Sequence, residues 1–293
     1  MNRMGRKGFQ LNYRTILLGF IILVCIYMLG NTEGFSSDEN PLTEIPFYIQ
    51  STVEYESNDI AGVPRILYHS WHSNKVPAKM AENIRSLLKS NAEFDYYLYS
   101  DEKSLQYIKD NFDESVISAF ETLKPGAYKS DLWRYCILYK TGGVYMDIKY
   151  NTVEPLISLL KRTPTIYVRD RDFFGELKCV YNGVMAAPPG NKIFKYCIDD
   201  VVNNCKMKLY KANSVDVTGP CVLGRMLTQY EPLTMKAIKY SYDVNYVDNN
   251  QIDLIKYDEK VVMKSYPEYR HEQKQFQKTL PYTTMWMNKD IYN

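Results

Sequence analysis

The chain has 293 residues, of which 45% are apolar and 24% charged, with a formal net charge of +2. That length supports one large domain or two small ones around a sizeable core, and the ordinary composition excludes global disorder, a collagen-like repeat and a small disulfide scaffold. The near-neutral balance excludes a polyphosphate-binding chain, and no nucleic-acid partner is expected.

The charge is unevenly placed along the chain. Residues 1–30 hold four basic residues (Arg3, Arg6, Lys7, Arg14) and no acid, whereas residues 31–59 hold seven acids and no Lys or Arg. Residues 60–293 carry 32 basic and 27 acidic residues. The division is into a short basic tail (1–14), an apolar segment (15–30), an acidic stem (31–59) and a body (60–293). Thr15 to Gly30 reads TILLGFIILVCIYMLG, without a charge. As a helix it covers about 24 Å, short of a typical hydrocarbon core but workable in a thin bilayer with Tyr13 and Arg14 snorkelling. Positive charge before the run and acids after it orient a transmembrane signal anchor with the N-terminus in the cytoplasm. The expectation is a single-pass type II membrane protein, its body in a Golgi- or ER-type lumen or an equivalent host-membrane location. A cleaved signal peptide is the other reading, and Gly30-Asn31-Thr32 is a poor cleavage site for it. The stem, broken by Pro41 and Pro46, reads as a tether, although Ile45–Ile49 is apolar enough to dock on the body.

The body alternates strands and helices. Arg65–Trp71 is the first strand and Pro77–Lys89 an amphipathic helix. Phe94–Tyr99 is a second strand, and Ser100 and Asp101 cap the helix that follows. Helices are expected over Leu105–Asp110, Glu114–Thr122 and Lys129–Tyr139, the last stopped by Gly142-Gly143. Val144–Asp147 reads as a buried strand ending in a carboxylate. Strands over Thr165–Arg169 and Lys178–Ala186, and helices over Ile193–Val202 and Gly219–Leu227, complete an α/β sheet with crossover helices. Ligands of such sheets sit beyond the carboxyl ends of the strands, where His69, Ser70, Trp71, Ser100, Asp101 and Asp147 fall. The cysteines, six in all, show no Cys-x-x-Cys spacing, and no Asn-x-Ser/Thr sequon occurs; no zinc site is suggested.

The chemistry converges on Lys129–Tyr135 and Gly142–Lys149. Asp131 and Arg134 are three apart and share a helix face, and that helix leads into the strand ending in Asp147. Two carboxylates and a guanidinium lining one pocket suit polyhydroxylated ligands: carboxylates accept directional hydrogen bonds from hydroxyls, and Arg forks between hydroxyl and phosphate oxygens.

SDLWRYCILYKTGGVYMDIKY resembles the core of glycosyltransferases with a DxD-containing sugar-binding region. That family includes initiating α-1,6-mannosyltransferases, α-galactosyl- and glucosyltransferases and capsular polysaccharide synthesis relatives. VPRILYHSWHS resembles the family's first strand. The resemblance runs from about Val63 to Leu227, with Asn182-Gly183 and Thr218-Gly219-Pro220 as further matching features. It implies a GT-A-like (Rossmann-like) mixed sheet, a UDP- or GDP-linked sugar donor, retention of anomeric configuration, and a glycan, glycoprotein or glycolipid acceptor. Asp131 and Arg134 would orient the donor sugar and Asp147 would meet the ribose or a divalent cation. His69, Ser70, Trp71, Ser100, Asp101, Tyr145, Asn182, Thr218, Gly219 and Trp286 would line the donor.

One position departs from the family. Its Asp-x-Asp is here Asp147-Ile148-Lys149, and the second Asp normally holds Mn²⁺ or Mg²⁺. Two apart on a strand, Asp147 and Lys149 are expected on one side. Three readings follow: Lys149 supplies the positive charge for the diphosphate itself; Asp147 and a C-terminal group such as His271 still hold a metal; or the chain is an inactive, membrane-tethered protein that only binds a nucleotide sugar or carbohydrate.

Overall fold

The computed structural model describes residues 42–55, 57, 59–170, 179–230, 238–244 and 251–293, with the backbone alone for 238–244 and 251. The basic tail, the apolar run at 15–30 and the first part of the acidic stem lie outside the described residues, as does Lys178. Among the described residues no helix is long and apolar enough to cross a membrane.

The strands in chain order are β1 (Thr43–Glu44), β2 (Tyr48–Ile49), β3 (Asp59–Ile60), β4 (Val63–Pro64), β5 (Ile66–Ser70), β6 (Lys75–Val76), β7 (Asp95–Tyr99), β8 (Gly143–Met146), β9 (Tyr150–Thr152), β10 (Ile166–Arg169), β11 (Val180–Ala187), β12 (Ile238–Val244), β13 (Gln251–Tyr257) and β14 (Lys260–Ser265). The helices are α1 (Ala78–Ser90), α2 (Asp101–Asn111), α3 (Glu114–Thr122), α4 (Gly126–Thr141), α5 (Leu156–Arg162), α6 (Lys192–Lys206), α7 (Pro220–Tyr230), α8 (Tyr269–Phe276) and α9 (Tyr282–Met287).

Among the described residues ten strands join one mixed sheet in the order β2-β7-β5-β8-β11-β10-β12-β13-β14-β9. β5 pairs in parallel with β7 and β8, so α1 and the α2–α4 run are crossover connections. The other pairs are antiparallel except β10 with β12. This is the mixed α/β architecture expected. β2, from the segment that charge assigned to the stem, extends the sheet at one edge beside β7.

The period-two alternation of β5 and β8 divides the core between the two faces of the sheet. Leu67, Val144 and Met146 pack with Met80, Ile84 and Leu87 of α1 on one face. Tyr68 and Tyr145 pack with Leu132, Trp133 and Phe194 on the other. α4 buries residues around most of its circumference, as a helix inside the protein does. It is the central prop of the second face, and it carries the two charged residues singled out by spacing. Gly142 ends it at φ 70, and Gly143 follows at φ 102. Both values favour glycine, and a Cβ at Gly143 would lie 2.8 Å from the Ile66 carbonyl oxygen. The double glycine is therefore what lets the chain reverse from α4 straight into β8 against β5.

Other expected elements form close to the predicted positions, and Ser100 caps α2 by accepting from the Lys103 amide at 3.2 Å. Periodicity does not predict the β12–β14 strands, α5 or α8. α1 has no side-chain cap of its own at Pro77. Instead Glu272 of α8, fully buried, accepts from the Lys79 and Met80 amides at 3.1 and 3.2 Å and from the Tyr266 hydroxyl at 2.8 Å. A carboxylate at a helix N-terminus is favourable, and this one pins the C-terminal part of the chain to the first crossover helix. A disulfide joins Cys179, just before β11, to Cys221 in the first turn of α7. Cys136, Cys197 and Cys205 are buried free thiols.

Candidate functional site

The strand ends and α4 bring Asp131, Arg134 and Asp147 together. Arg134 is buried and fully engaged. Its Nη1 donates to the Asn182 carbonyl at 2.9 Å and lies 3.5 Å from Asp147 Oδ1. Its Nη2 donates to Ser130 Oγ at 2.9 Å and stands 3.6 Å from Asp131 Oδ1. The guanidinium stacks 4.3 Å above the Tyr145 ring. Burial works against this charge, but the Tyr145 oxygen and the two carboxylates outweigh it and raise the pKa further.

Asp131 Oδ1 accepts from Asn182 Nδ2 at 2.9 Å and Oδ2 from Thr218 Oγ1 at 2.8 Å. Burial pushes its pKa up, and Arg134, Thr218 and Asn182 pull it back. Tyr135 closes the network by donating to the Gly219 carbonyl at 3.1 Å and accepting from Asn182 at 3.1 Å. Asp147 accepts from the Tyr145 hydroxyl on Oδ1 and the Tyr181 hydroxyl on Oδ2, each at 3.0 Å. Its side chain keeps 26% exposure against 12% for Asp131, so it is the more accessible carboxylate of the two. Gly183 permits this: a Cβ there would lie 2.5 Å from Asp147 Oδ2. Ser70 joins the group through Ser130 Oγ at 2.8 Å and the Tyr145 hydroxyl at 3.3 Å.

Five other expected positions make their contacts outside this network. His69 alternates away from Ser70 and is fully buried, its Nδ1 3.2 Å from the Tyr96 hydroxyl. Trp71 packs against the same face of the sheet. Trp286 donates to the Tyr210 carbonyl at 2.7 Å. Ser100 is occupied in capping α2, whose first residue is Asp101.

His69 has a consequence for acid stability. Burial lowers its pKa to about 3, against the pull of Asp147. The unfolded chain therefore takes up a proton near pH 6.5 that the folded chain refuses, and stability falls as the pH drops below that value. The loss is about 2 kcal/mol by pH 5. His69→Gln, which keeps a polar partner for Tyr96 but does not titrate, should remove that share. Urea midpoints at pH 7 and pH 5 measure it; equal acid sensitivity in the two proteins would refute the assignment.

The largest correction concerns Lys149. β8 ends at Met146, and residues 147–150 form a turn closed by the Tyr150 amide donating to the Asp147 carbonyl at 3.0 Å. Strand alternation does not apply across a turn and so does not place Lys149, although the Asp147 charge still acts on it. Its Nζ donates to Asp253 Oδ2 on β13 at 2.6 Å, with side-chain exposures of 6% and 1%. Arg270 Nη2 reaches the same oxygen at 3.3 Å. Burial lowers the Lys149 pKa, and Asp253 and Asp147 oppose that shift. His271 points into solvent on α8.

These residues do not fit the family's usual divalent cation. The second carboxylate of the motif is an ammonium already paired, and both oxygens of Asp147 have protein donors. Among the described residues no group of three or more metal-ligating side chains converges. Spacing also leaves out Ser130, Tyr181, Asp253 and Arg270. Ser130 and Tyr181 adjoin recognised motifs, whereas Asp253 and Arg270 carry no local signal. An open cleft of about 340 Å³ lined by Asn83, Asn151, Lys264 and Tyr266 includes none of the three central residues.

Residues 77–166 match the family described as a glycosyltransferase sugar-binding region containing the DXD motif. Inositol phosphoceramide mannosyltransferase 2 of Schizosaccharomyces pombe is 30% identical over 152 residues, 51% of this chain and 42% of that protein. Mannosyl phosphorylinositol ceramide synthase SUR1 of Saccharomyces cerevisiae is 25% identical over 170 residues, covering 58% and 43%. The chain thus spans under half the length of these two relatives. An uncharacterized glycosyltransferase, L373, of Acanthamoeba polyphaga mimivirus is 24% identical over 57% of this chain and 66% of that one. The solved PaToxG glycosyltransferase overlaps at a TM-score of 0.45 with 15% identity, over 74% and 80% of the two chains.

Proposed function

We propose that this chain, whose residues 77–166 belong to the DXD-containing glycosyltransferase sugar-binding region, transfers a hexose from a nucleotide-sugar donor to a glycan or glycolipid acceptor. The observation that carries the reading is the Asp131–Arg134–Asp147 group at the carboxyl ends of β5 and β8. It has one carboxylate fixed by Asn182 and Thr218 and another that remains partly exposed. Mannose on an inositol phosphoceramide is the first pair to try, because the names of two relatives carry it.

In this reading Asp131 and Asp147 accept hydrogen bonds from sugar or ribose hydroxyls. Arg134 holds the two carboxylates at a set separation rather than meeting the donor itself. Reaction with retention needs no dedicated base: the departing phosphate oxygen takes the acceptor proton on the same face. The site's contribution is then orientation and charge arranged in advance of the reaction. The run at 15–30 anchors the chain as a type II membrane protein with the body on the lumenal side.

The test is transfer by the full chain in detergent, using a panel of nucleotide-linked hexoses with inositol phosphoceramide and with glycan acceptors. Transfer from one donor, lowered at least a hundredfold by Asp147→Asn, is the expected result. Donor binding without transfer would make the chain a tethered sugar-binding protein, the reading that a lysine at position 149 favours. No donor binding at all would refute both.

A further inference from the structure

A sugar hydroxyl both donates and accepts, so a site that holds one needs groups of both kinds. Ionised Asp131 and Asp147 can only accept. The donors around them are already engaged. Asn182 and Thr218 donate to Asp131, and the Tyr145 and Tyr181 hydroxyls donate to Asp147. Arg134 donates to the Asn182 carbonyl and to Ser130 Oγ. Donors for the sugar's own oxygens must come from elsewhere.

Two phenols from the C-terminal part of the chain meet that need. Tyr282 opens α9, and its ring lies 5.7 Å from that of Tyr128. Tyr128 stands one turn before Asp131 on the same face of α4. Tyr269 opens α8, with its ring centre 5.7 Å from Lys149 Nζ, which is itself 5.8 Å from the centre of the Tyr181 ring. One phenol thus approaches from the side of Asp131 and the other from the side of Asp147. Among the described residues neither hydroxyl has a hydrogen-bond partner, and neither is sealed from solvent. Burial raises the pKa of both phenols; Asp131 raises that of Tyr282 further and Asp147 that of Tyr269, with Arg270 opposing in each case. Both are therefore protonated donors at neutral pH. Each ring is held from behind. Glu272, one turn after Tyr269, is fixed on the α1 amides, and Met285, one turn after Tyr282, is buried in the core.

We propose that Tyr269 and Tyr282 bind the hexose of the nucleotide sugar, their hydroxyls donating hydrogen bonds to its hydroxyl oxygens. The proposal rests on the glycosyl-transfer reading and deepens it. The sugar is a hexose with free hydroxyls, held between accepting carboxylates from α4 and the end of β8 and donating phenols from α8 and α9. The nucleotide and its diphosphate make no contact with either phenol.

Calorimetric titration of the full chain in detergent with GDP-mannose, UDP-glucose and UDP-galactose, beside GDP and UDP, tests this. The sugar nucleotide that the parent binds should lose about 3- to 10-fold in affinity in Tyr269→Phe and again in Tyr282→Phe, as removal of one neutral hydrogen bond does. The matching free diphosphate should change by less than about twofold, because it carries none of the sugar's oxygens. Melting temperatures should stay within about 2 °C of the parent, since neither hydroxyl leaves a protein partner unpaired. An unchanged Kd for the sugar nucleotide in either variant, or an equal loss for the free diphosphate, overturns the proposal and leaves the transferase reading standing. Failure of the parent to bind any of the three sugar nucleotides overturns the two together.

Discussion

Asp131→Ala is expected to cost about 3–5 kcal/mol of stability, as removal of one partner from a buried ion pair does, besides abolishing transfer. The substitution strands three groups at once. The Asn182 amide and the Thr218 hydroxyl lose their acceptor, and Arg134 loses one of its two carboxylates inside the protein. For a domain of this size the melting temperature should drop by about 10 °C. An exposed pair at the same spacing would behave differently, with activity lost and stability kept. Asp131→Asn separates the two roles. The amide fills the same space and can still accept from Thr218, so most of the stability should return while transfer stays at least a hundredfold down. Thermal melts beside single-turnover transfer would decide it. Full activity in a folded Asp131→Asn protein would remove Asp131 from the donor site.

The second large effect lies at Lys149 and Asp253. Asp253→Ala leaves a buried ammonium without its carboxylate and should again cost about 3–5 kcal/mol. Lys149→Asp, which would restore the family's Asp-x-Asp spelling, should be no gentler. It places a second carboxylate where the 2.6 Å contact with Asp253 now stands, in a site almost closed to water. The double variant Lys149→Met/Asp253→Leu removes both charges together and should lie within about 2 kcal/mol of the parent, because exchanging a buried pair for apolar groups is often neutral. Chemical denaturation of the three variants measures this. A Lys149→Asp protein as stable as the parent would show that the pair does not hold the 147–150 turn to β13.

Much of the site was legible because it is written in contiguous stretches. Asp131 and Arg134 share a helix face by spacing alone, and a carboxylate closing an apolar strand before a turn is visible without coordinates. The order of the longer strands and helices through α7, α5 excepted, follows for the same reason: apolar alternation, glycine stops and caps are local signals. The turn at Lys149 was missed because the residue after Met146 was read as strand, and across a turn alternation gives no placement. Asp253 and Arg270 had no such signal. Asp253 reaches Lys149 from 104 positions away and Arg270 reaches Asp253 in turn, on a hairpin and a helix whose own patterns are weak. The assignment of Thr43–Ile49 to a tether had a similar origin, since an acidic neighbourhood conceals a two-residue strand that pairs with β7.

The Cys179–Cys221 bond has a consequence for where this protein matures. Cys179 lies three residues before Asn182, and Cys221 three residues after Thr218. The two side-chain donors that hold Asp131 thus belong to segments joined by a single covalent clasp. In a reducing cytosol that clasp stays open, and the two segments are held by packing alone. In an oxidising lumen it closes. A chain that crosses into the secretory pathway would therefore complete the surroundings of Asp131 only after translocation, by an oxidation step rather than by folding alone. Protein made in the cytosol of a bacterial host would carry the full sequence and most of the fold, with the carboxylate at its centre less firmly held.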